Sequence, residues 1–355
     1  MSGPPPVAGS RALPPLRWFG AADVAAAMPG LEEGLALAER TLTAPAQPGA
    51  SELPPKIGIH PRPTDSFVHA MPAHLRAETT AADLIGMKWV AGFATNNGIG
   101  LPAISALVVL NDPETGVPVA VLDGAPITAE RTAAVTGVAL RHFGPGARLG
   151  TGGGSGSGEA SSAAVHVALV GAGVQGRSHV PVIGAVVPGC TLHVFDRHPE
   201  RADALADLAR STPGIASVEF HGSAREAVEQ GDAVVTVASF GPPEARQSMT
   251  NAWLRPNAIV VPVDYATYCA AEVPREAALF LVDQREQFLA NRDAGSFDGY
   301  PDPTATIGEA LLARTPRPDG RVVVTHLGVG LADLVFADAI VRAAIADGRG
   351  TTLAR

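Results

Sequence analysis

Residues 165–176 read VHVALVGAGVQG, in which an apolar run passes directly into a glycine-rich turn. Such a run is typical of a central parallel strand that is covered on both faces. The glycines follow the spacing G-x-G-x-x-G: Gly171 predicts a tight turn, Gly173 a backbone open to close approach, and Gly176 close packing of helix on strand. A helix is predicted to begin near Val174, so the stretch indicates a strand, a turn and a helix in succession.

The alternation of strand and helix continues through the second half of the chain. Further strands are predicted at Thr191–Phe195, Val218–Phe220, Ala233–Val237, Ala258–Val263 and Leu279–Val282. Right-handed crossovers of this kind build a doubly wound parallel sheet. The predicted fold class is therefore α/β, with a doubly wound parallel-sheet (Rossmann) domain at 165–325 and an α+β domain before it.

The glycine-rich turn and the second strand together predict a dinucleotide site. The N-terminus of the following helix offers N–H donors and a partial positive charge to a pyrophosphate. Asp196, twenty residues after Gly176, is placed to accept hydrogen bonds from ribose hydroxyls, and its charge favours NAD over NADP. The adjacent Arg197 leaves NADP open. The predicted contacts at the turn are Gly171, Gly173, Val174, Gln175 and Gly176. The alternatives are a nucleotide-free α/β domain and a different nucleotide such as SAM.

The first half of the chain contains short, β-rich segments bounded by turn residues, a pattern typical of antiparallel strands. The predicted strands are Leu16–Phe19, Pro54–His60, Phe67–Pro72, Gly86–Phe93, Ile104–Leu110 and Pro118–Leu122. The predicted helices are Val24–Met28, Leu31–Leu42, a helix capped by Thr128 that runs to about His142, and Leu331–Ile345 near the end of the chain. Residues 1–15 are Pro-rich and predicted to be disordered, and the Gly/Ser-rich residues 145–164 are predicted to be a flexible connector.

Composition excludes several classes of function. The formal net charge of −9 argues against nucleic acid or an anionic membrane as the main partner, because such surfaces need clustered Lys and Arg. The two cysteines, Cys190 and Cys269, give no disulfide framework and no metal-ligand spacing, so no metal is predicted. Neither a secretory leader nor an apolar membrane span is evident. A cytoplasmic protein is expected.

Several motifs together resemble the ornithine cyclodeaminase and mu-crystallin family. They are Met71-Pro72, Gly86–Lys88, Asn96–Pro102, Thr115–Pro118, Asp123-Gly124, Thr128–Ala134, Gly171–Gly176 and Gly328–Asp333. The most specific is T-A-x-R-T-A-A followed by G-A-G-x-Q, and the likeness covers residues 16–350. It implies a homodimer in which a substrate-binding and dimerisation domain at 16–144 is completed by residues 326–355.

The resemblance also implies residues that bind the substrate. Arg131 is expected to clamp a substrate carboxylate bidentately, as guanidinium geometry suits. Lys88 is expected to bind the same carboxylate next to the reacting carbon and to be catalytic. Lys56 occupies the position where the family usually has an arginine that binds the substrate carboxylate. Its ammonium supplies a positive charge there but lacks the paired N–H donors of a guanidinium. Met71 is expected to line the same site.

The second catalytic residue implied by the resemblance is Asp264, which aligns with the acid that cyclodeaminases use on the side-chain amine. A carboxylate at the end of an apolar strand points toward the edge where such sheets bind ligands, and burial there raises its pKa. Thr236, Val237 and Ala238 are expected on the nicotinamide side of the site. Family members specific for ornithine or lysine have a lysine four residues after this acid, where this chain has Tyr268, which puts ornithine in doubt.

The function implied is that of an NAD(P)-dependent enzyme acting on the C–N bond of an amino or imino acid. A cyclodeaminase passes the α-hydride to NAD⁺, lets the terminal amine attack the resulting imine, releases ammonia, and returns the hydride to the cyclic imine. The alternatives are a ketimine reductase or amino-acid dehydrogenase of the same family, and a non-catalytic protein that binds NAD(P)H and a small ligand. The histidines, including His60 and His69, are expected to be structural, and Asp333 is expected to serve the dipole of the closing helix.

Overall fold

The computed structural model describes residues 13–63, 66–149, 164–239 and 245–355. Within these ranges the strands form two eight-stranded sheets, which confirms the predicted α/β class. The strands are β1 (Leu16–Phe19), β2 (Ser51–Glu52), β3 (Ile57–Ile59), β4 (Phe67–Leu75), β5 (Leu84–Gly92), β6 (Ile104–Asn111), β7 (Pro118–Asp123), β8 (His166–Val170), β9 (Cys190–Phe195), β10 (Ile215–Phe220), β11 (Ala233–Thr236), β12 (Ile259–Pro262), β13 (Leu279–Val282), β14 (Ala305–Thr306), β15 (Val322–Thr325) and β16 (Thr351–Leu353). The helices are α1 (Ala21–Ala26), α2 (Leu31–Thr43), α3 (Gly124–Phe143), α4 (Val174–Val186), α5 (Pro199–Ser211), α6 (Ala224–Glu229), α7 (Glu272–Arg275), α8 (Arg285–Asp293), α9 (Ile307–Leu312) and α10 (Gly330–Ala346).

The first sheet is mostly antiparallel and has the order β16-β1-β7-β6-β5-β4-β2, with β3 added beside β4. Successive side chains of a strand point to opposite faces, and β5 shows this alternation. Its residues Gly86, Lys88 and Val90 are buried on the inner face, whereas Trp89 is exposed on the outer one. Helices α3 and α10 pack on the inner face and enclose the core there.

The second sheet is parallel throughout and has the order β10-β9-β8-β11-β12-β15-β13-β14. Alternate residues of β8 enter two separate hydrophobic clusters, with Leu169 on the α4 side and Val170 on the α6 side. Both faces are therefore covered, as the apolar run predicted. The sequence prediction gave six of these strands and omitted β14 and β15.

Helix α10 connects the two sheets at the site. It begins soon after β15 of the second sheet and packs on β4, β5 and β6 of the first. The first turn of α10 therefore lies under the strand that carries Lys88. Among the described helices none is long and apolar enough to cross a bilayer.

The start of α3 corrects one prediction. The helix begins at Gly124, and its N-cap is Asp123, whose Oδ1 accepts a hydrogen bond of 3.0 Å from the backbone N–H of Ala125. Thr128 lies inside the helix, where its hydroxyl donates to the carbonyl of Gly124, so the predicted Thr128 cap is wrong. Asp123 is an equally good cap residue in an extended conformation, and it permits one more helical turn.

The predicted connector and disordered N-terminus fall mostly outside the described ranges. Residues 145–149 form a short 3₁₀ turn after α3. Residues 150–163 and 1–12 lie outside the described residues.

Candidate active site at the junction of the two sheets

The glycine-rich turn after β8 has the conformation that its sequence predicts. Gly171 has a φ of +115°, and a Cβ there would lie 2.9 Å from the backbone of Val237. A Cβ at Gly176 would collide with the carbonyl oxygen of Gly171. Both positions therefore require glycine: a side chain at Gly176 would push α4 away from β8, and one at Gly171 would collide with the segment after β11 and disfavour the positive φ.

The N-terminus of α4 is open at this turn. Its N-cap, Gly173, supplies no side chain to the first backbone N–H groups, nothing lies within 4 Å of a Cβ built there, and Val174 is 71% exposed. Unsatisfied N–H donors at a helix N-terminus form a site for anions such as a pyrophosphate. The turn therefore fits a dinucleotide.

Asp196 lies directly against the glycine-rich turn. Its Oδ2 accepts a hydrogen bond of 2.7 Å from Ala172 N–H, and its Oδ1 accepts one of 2.8 Å from His198 N–H. Each oxygen keeps a further lone pair for a hydroxyl donor. Arg197, the next residue, is exposed. This geometry places Asp196 where the sequence predicts it, at the end of β9 beside the turn.

Lys88, Arg131 and Asp333 form a buried ionic cluster on the inner face of the first sheet. The Nζ of Lys88 is 2.7 Å from Oδ2 of Asp333, and the Nε of Arg131 is 3.1 Å from Oδ1. None of the three side chains is more than 5% exposed. Burial lowers the pKa of Lys88, an effect that Asp333 opposes and Arg131 reinforces. Two cations share one anion, so the cluster is suited to a second carboxylate.

Asp333 therefore does more than its sequence position suggests. It does lie in the first turn of α10, as expected. Its carboxylate, however, holds the two cations that the sequence assigns to the substrate. The expected position at the start of the helix is therefore observed, and the ion pairs with Lys88 and Arg131 are an addition that the sequence did not predict.

The fork of Arg131 faces the loop before α10. Its terminal nitrogens lie against Gly328, where a Cβ would approach Nη2 to 2.8 Å and Nη1 still more closely. The hydrogen bond from Arg131 to Asp333 is donated by Nε. Within the described ranges, the terminal nitrogens Nη1 and Nη2 have no hydrogen-bond partner. These two parallel N–H groups match the two oxygens of a carboxylate.

Lys56 links the first sheet to the second. Its Nζ donates 2.7 Å to the hydroxyl of Tyr265 and 3.2 Å to the carbonyl of Leu327. Tyr265 follows Asp264 and has a φ of +59°, an uncommon conformation for a bulky residue that the surrounding contacts must stabilise. Its ring stacks on Phe297, with the centroids 5.4 Å apart.

Asp264 is buried at the carboxyl edge of the second sheet. Thr236 Oγ1 donates 2.8 Å to its Oδ1, and Ala238 N–H donates 3.3 Å to its Oδ2. Burial raises the pKa of Asp264 to about 7, and the two hydrogen bonds oppose that shift. Thr236 and Ala238, which the sequence predicts on the nicotinamide side of the site, therefore lie beside Asp264. They stand at and just after the end of β11, and both donate hydrogen bonds to its carboxylate.

The structure adds site residues that sequence reasoning gave little weight. His69 lies on β4 close to Lys56 and Lys88; burial and then these charges lower its pKa to about 4, so its imidazole is neutral. Met71, two residues further, is buried and pairs in register with Lys88, as expected for a site residue. Spacing could have suggested His69, because residues 69 and 71 share one face of a strand.

A second buried group, Asp283, fixes the loop that faces Arg131. Its Oδ2 accepts hydrogen bonds of 2.9 Å from Leu327 N–H and 2.7 Å from Gly328 N–H. These two bonds fix Leu327, whose carbonyl accepts a hydrogen bond from Lys56, and Gly328, which lies against the guanidinium of Arg131. Nothing in the sequence around Asp283 signals this contact, because its partners lie more than forty residues away.

Fold and site together define a Rossmann-type α/β protein with a cation-lined site beside an open phosphate-binding turn. A family model of the ornithine cyclodeaminase/mu-crystallin family matches residues 24–341. The chain belongs to this family, and the resemblance predicted from its motifs is confirmed.

Individual relatives extend the comparison. The chain is 33% identical to the nodulation efficiency protein NfeD of Rhizobium meliloti, over 96% of this chain and 98% of that protein. It is 28% identical to the ketimine reductase mu-crystallin of Mus musculus, over 76% of this chain and 78% of the relative. The structure of Thermococcus litoralis Delta(1)-pyrroline-2-carboxylate reductase in complex with NADH and L-proline is similar at a TM-score of 0.77 and 23% identity, covering 95% of this chain and all of that one. That last likeness shows the shared fold.

Proposed function

We propose that this chain is an NAD(P)-dependent enzyme that acts on the C–N bond of an amino or imino acid. One observation carries the proposal: Lys56 of the first sheet donates 2.7 Å to Tyr265, the residue after Asp264 on the second. This bond joins a cation of the first sheet to the residue that follows a buried acid, at the edge where a parallel sheet binds its ligand. An amino acid offers a carboxylate and an amine one carbon apart, and therefore fits both.

The cofactor is assigned from the fit of the turn. A nicotinamide dinucleotide held by the N-terminus of α4 and by Asp196 supplies a hydride acceptor or donor at the site. The carboxylate of Asp196 disfavours a 2′-phosphate, so NAD is the preferred form, while the exposed Arg197 keeps NADP open. The relative from Thermococcus litoralis, crystallised with NADH and L-proline, supports this choice.

The chain's own residues position and protonate the substrate. Arg131 holds the carboxylate through its terminal nitrogens, and Lys88 places its ammonium beside the same group. Asp264 accepts a proton from the amine when its carboxyl is ionised, or donates one when it is neutral. Thr236 and Ala238 fix the orientation of that carboxyl, and burial keeps competing water away.

The proposal leaves two reaction types within one site, and substrate trials separate them. In a cyclodeaminase the terminal amine of a diamino acid attacks the α-imine, ammonia leaves, and the hydride returns to the cyclic imine, so the reaction has no net redox change. In a reductase or dehydrogenase the cofactor changes oxidation state in every cycle. The likeness to the mouse ketimine reductase favours the second type.

The decisive experiment combines calorimetry with a substrate panel. We expect the purified chain to bind NAD(H) more tightly than NADP(H), and Asp196→Ala to lose that preference. Diamino acids with NAD⁺ and cyclic imines with NADH or NADPH are then followed by NADH absorbance and mass spectrometry.

Turnover with an absorbance change indicates a reductase or dehydrogenase, and turnover without one indicates a cyclodeaminase. Binding of a dinucleotide with no turnover across the panel would leave a binding protein, and absence of heat with all four dinucleotides would overturn the proposal.

The proposed assembly is a homodimer formed through the outer face of the first sheet. An apolar row crosses four strands of this face in register: Ile57 pairs with Ala70, Ala70 with Trp89, and Trp89 with Leu107. The exposed fractions of Ile57, Trp89 and Leu107 are 67%, 44% and 40%. A continuous apolar patch of this kind on a monomer is typical of an interaction surface.

A charge placed in that row is expected to separate the protomers. The double variant Trp89→Glu/Leu107→Glu buries two carboxylates in the proposed interface, which costs far more than the lost apolar contact. Multi-angle light scattering should give the mass of a dimer for the native chain and of a monomer for the variant. Leu312→Glu, at an exposed apolar residue of α9, is the matched control and should remain dimeric. A native chain that elutes as a monomer contradicts this assembly.

A further inference from the structure

A cluster of histidines lies on the second sheet and takes no part in the proposed active site. His166, His193, Glu219 and His221, here called the His–Glu cluster, come from three adjacent strands. His166 begins β8, His193 lies on β9, Glu219 lies on β10, and His221 follows β10. His193 and Glu219 are partners in register, and residues 219 and 221 share one face. The fold therefore places them along a diagonal across β8, β9 and β10, from the start of β8 to the end of β10.

The side-chain atoms of the cluster are in direct contact. The Nδ1 of His193 is 2.9 Å from Nε2 of His221 and 3.5 Å from Oε2 of Glu219. The other ring nitrogen of His193, Nε2, is 2.8 Å from Nδ1 of His166. One ligand atom from each of His193, Glu219 and His221 lies within 4.8 Å of the other two.

These three atoms are a ligand set for Zn²⁺. Zinc binds imidazole nitrogen and carboxylate oxygen at about 2.0–2.2 Å, which separates neighbouring ligand atoms of a tetrahedral site by about 3.4 Å. The separations from Nδ1 of His193, 2.9 Å to His221 and 3.5 Å to Glu219, lie within about half an ångström of that value, and the side chain of Glu219 is 58% exposed and can adjust.

The groups around the cluster are compatible with a cation. His166 is positioned to accept a hydrogen bond from Nε2–H of His193, which leaves Nδ1 as the ligating nitrogen; second-sphere partners of this kind are typical of histidine ligands. Arg255 is the nearby positive charge, and it pairs at 2.7 Å with Asp232, which also accepts from His166 N–H. The repulsion that Arg255 would exert is therefore largely neutralised.

We propose that His193, Glu219 and His221 bind a zinc ion that clamps the edge strand β10 to β9. β10 is the outermost strand on its side of the sheet, and four of its six residues are exposed. A metal bridging the two strands stabilises the folded chain, because the ligands are brought together only in the folded state. The proposed site shares no residue with the dinucleotide turn or the cation cluster, and it does not rest on the proposed function.

Calorimetry with ZnCl₂ on the full, untagged, chelator-stripped chain tests the proposal. We expect one zinc per chain and a rise in Tm when zinc is added. His221→Ala and Glu219→Gln should each weaken binding by more than about 100-fold, and His166→Ala by about 10- to 100-fold, as second-sphere losses do. Co²⁺ in place of zinc should give the visible absorption of a tetrahedral site in the native chain and lose it in His221→Ala.

The matched control is His198→Ala, which removes a histidine that faces Glu200 outside the cluster. It should bind zinc as tightly as the native chain. Circular dichroism verifies that each variant folds. If His221→Ala does not fold, the zinc affinity of Glu219→Gln, a change at an exposed side chain, tests the proposal instead. Absence of stoichiometric zinc binding, or binding that Glu219→Gln leaves unchanged, overturns the proposal.

Discussion

Replacing Arg131 with methionine is expected to lower kcat/KM by about 10²- to 10⁴-fold, with most of the loss in KM. The reason is that the two terminal N–H groups hold the substrate carboxylate in both the ground state and the transition state. Two charge-assisted hydrogen bonds contribute about 1.5–3 kcal/mol each, and each 1.4 kcal/mol is tenfold in rate. Steady-state kinetics on the substrate identified by the panel gives the measurement, with dinucleotide affinity unchanged.

Arg131→Met is a fair test because the cluster survives it. Asp333 keeps Lys88 as its partner at 2.7 Å, so no buried charge is left uncompensated. Arg131→Lys retains the charge and loses the fork, and we expect an intermediate KM. Arg141→Met is the matched control on the same helix: its guanidinium pairs at 2.9 Å with an exposed Glu32, and such surface pairs contribute little.

Two outcomes would contradict this role. A native KM in Arg131→Met would show that the carboxylate is bound elsewhere. A loss of dinucleotide affinity equal to the loss of kcat/KM would show that the variant disturbs the fold of both sheets. Gly328→Ala is a second perturbation of the same group, because its methyl group would displace the terminal nitrogens of Arg131 and its positive φ of +78° would strain the loop before α10.

The second sheet was largely predictable because its strands are short apolar runs bounded by turn residues. Leu279–Val282 matches its prediction to the residue, and the turn at Gly171 follows from the glycine spacing. β15 has the same apolar composition and was omitted: a four-residue apolar run carries no period that separates a strand from other buried chain. The place of β15 between β12 and β13 depends on tertiary packing alone.

Individual site residues could be predicted where a local motif identifies them. Contacts between residues from distant segments of the chain could not. Lys88, Arg131 and Asp264 were named from the sequence, and the structure buries all three. The partner of the first two, Asp333, is 202 residues from Arg131, and no local pattern encodes such a pairing. Lys56 and Tyr265 are 209 residues apart, and their bond is equally invisible in the sequence.

A buried hydrogen-bond network beside α4 also joins residues that are far apart in the sequence. The hydroxyl of Thr136 on α3 lies 2.9 Å from Nε2 of His179 on α4 and 3.0 Å from Nε2 of His326 after β15. The Nδ1 of His179 lies 2.6 Å from the carbonyl of Gln175 in the glycine-rich turn. These two histidines link the glycine-rich turn to α3 and to the segment after β15.

Replacing Asp264 with asparagine is expected to lower kcat by about 10²- to 10⁴-fold, the range for loss of a general acid or base. Burial raises the pKa of this carboxyl to about 7. Below pH 7 the group is protonated and cannot accept a proton, so in the direction that oxidises an amine the native rate should rise with pH through about 7 and then level off. The asparagine variant should lack this ascending limb. The pH profile of kcat is the measurement.

Thr236→Val identifies which group titrates. Thr236 donates 2.8 Å to Asp264 and thereby favours its ionised form. Removal of that bond should raise the pKa of Asp264 further, so the ascending limb should move to higher pH while the plateau rate is retained. If the limb stays near pH 7 in both Thr236→Val and Asp264→Asn, the titrating group is Lys88, whose pKa burial lowers, and Asp264 is not the proton acceptor. A limb that moves with Thr236 and disappears with Asp264 assigns the proton transfer to the strand-end carboxylate.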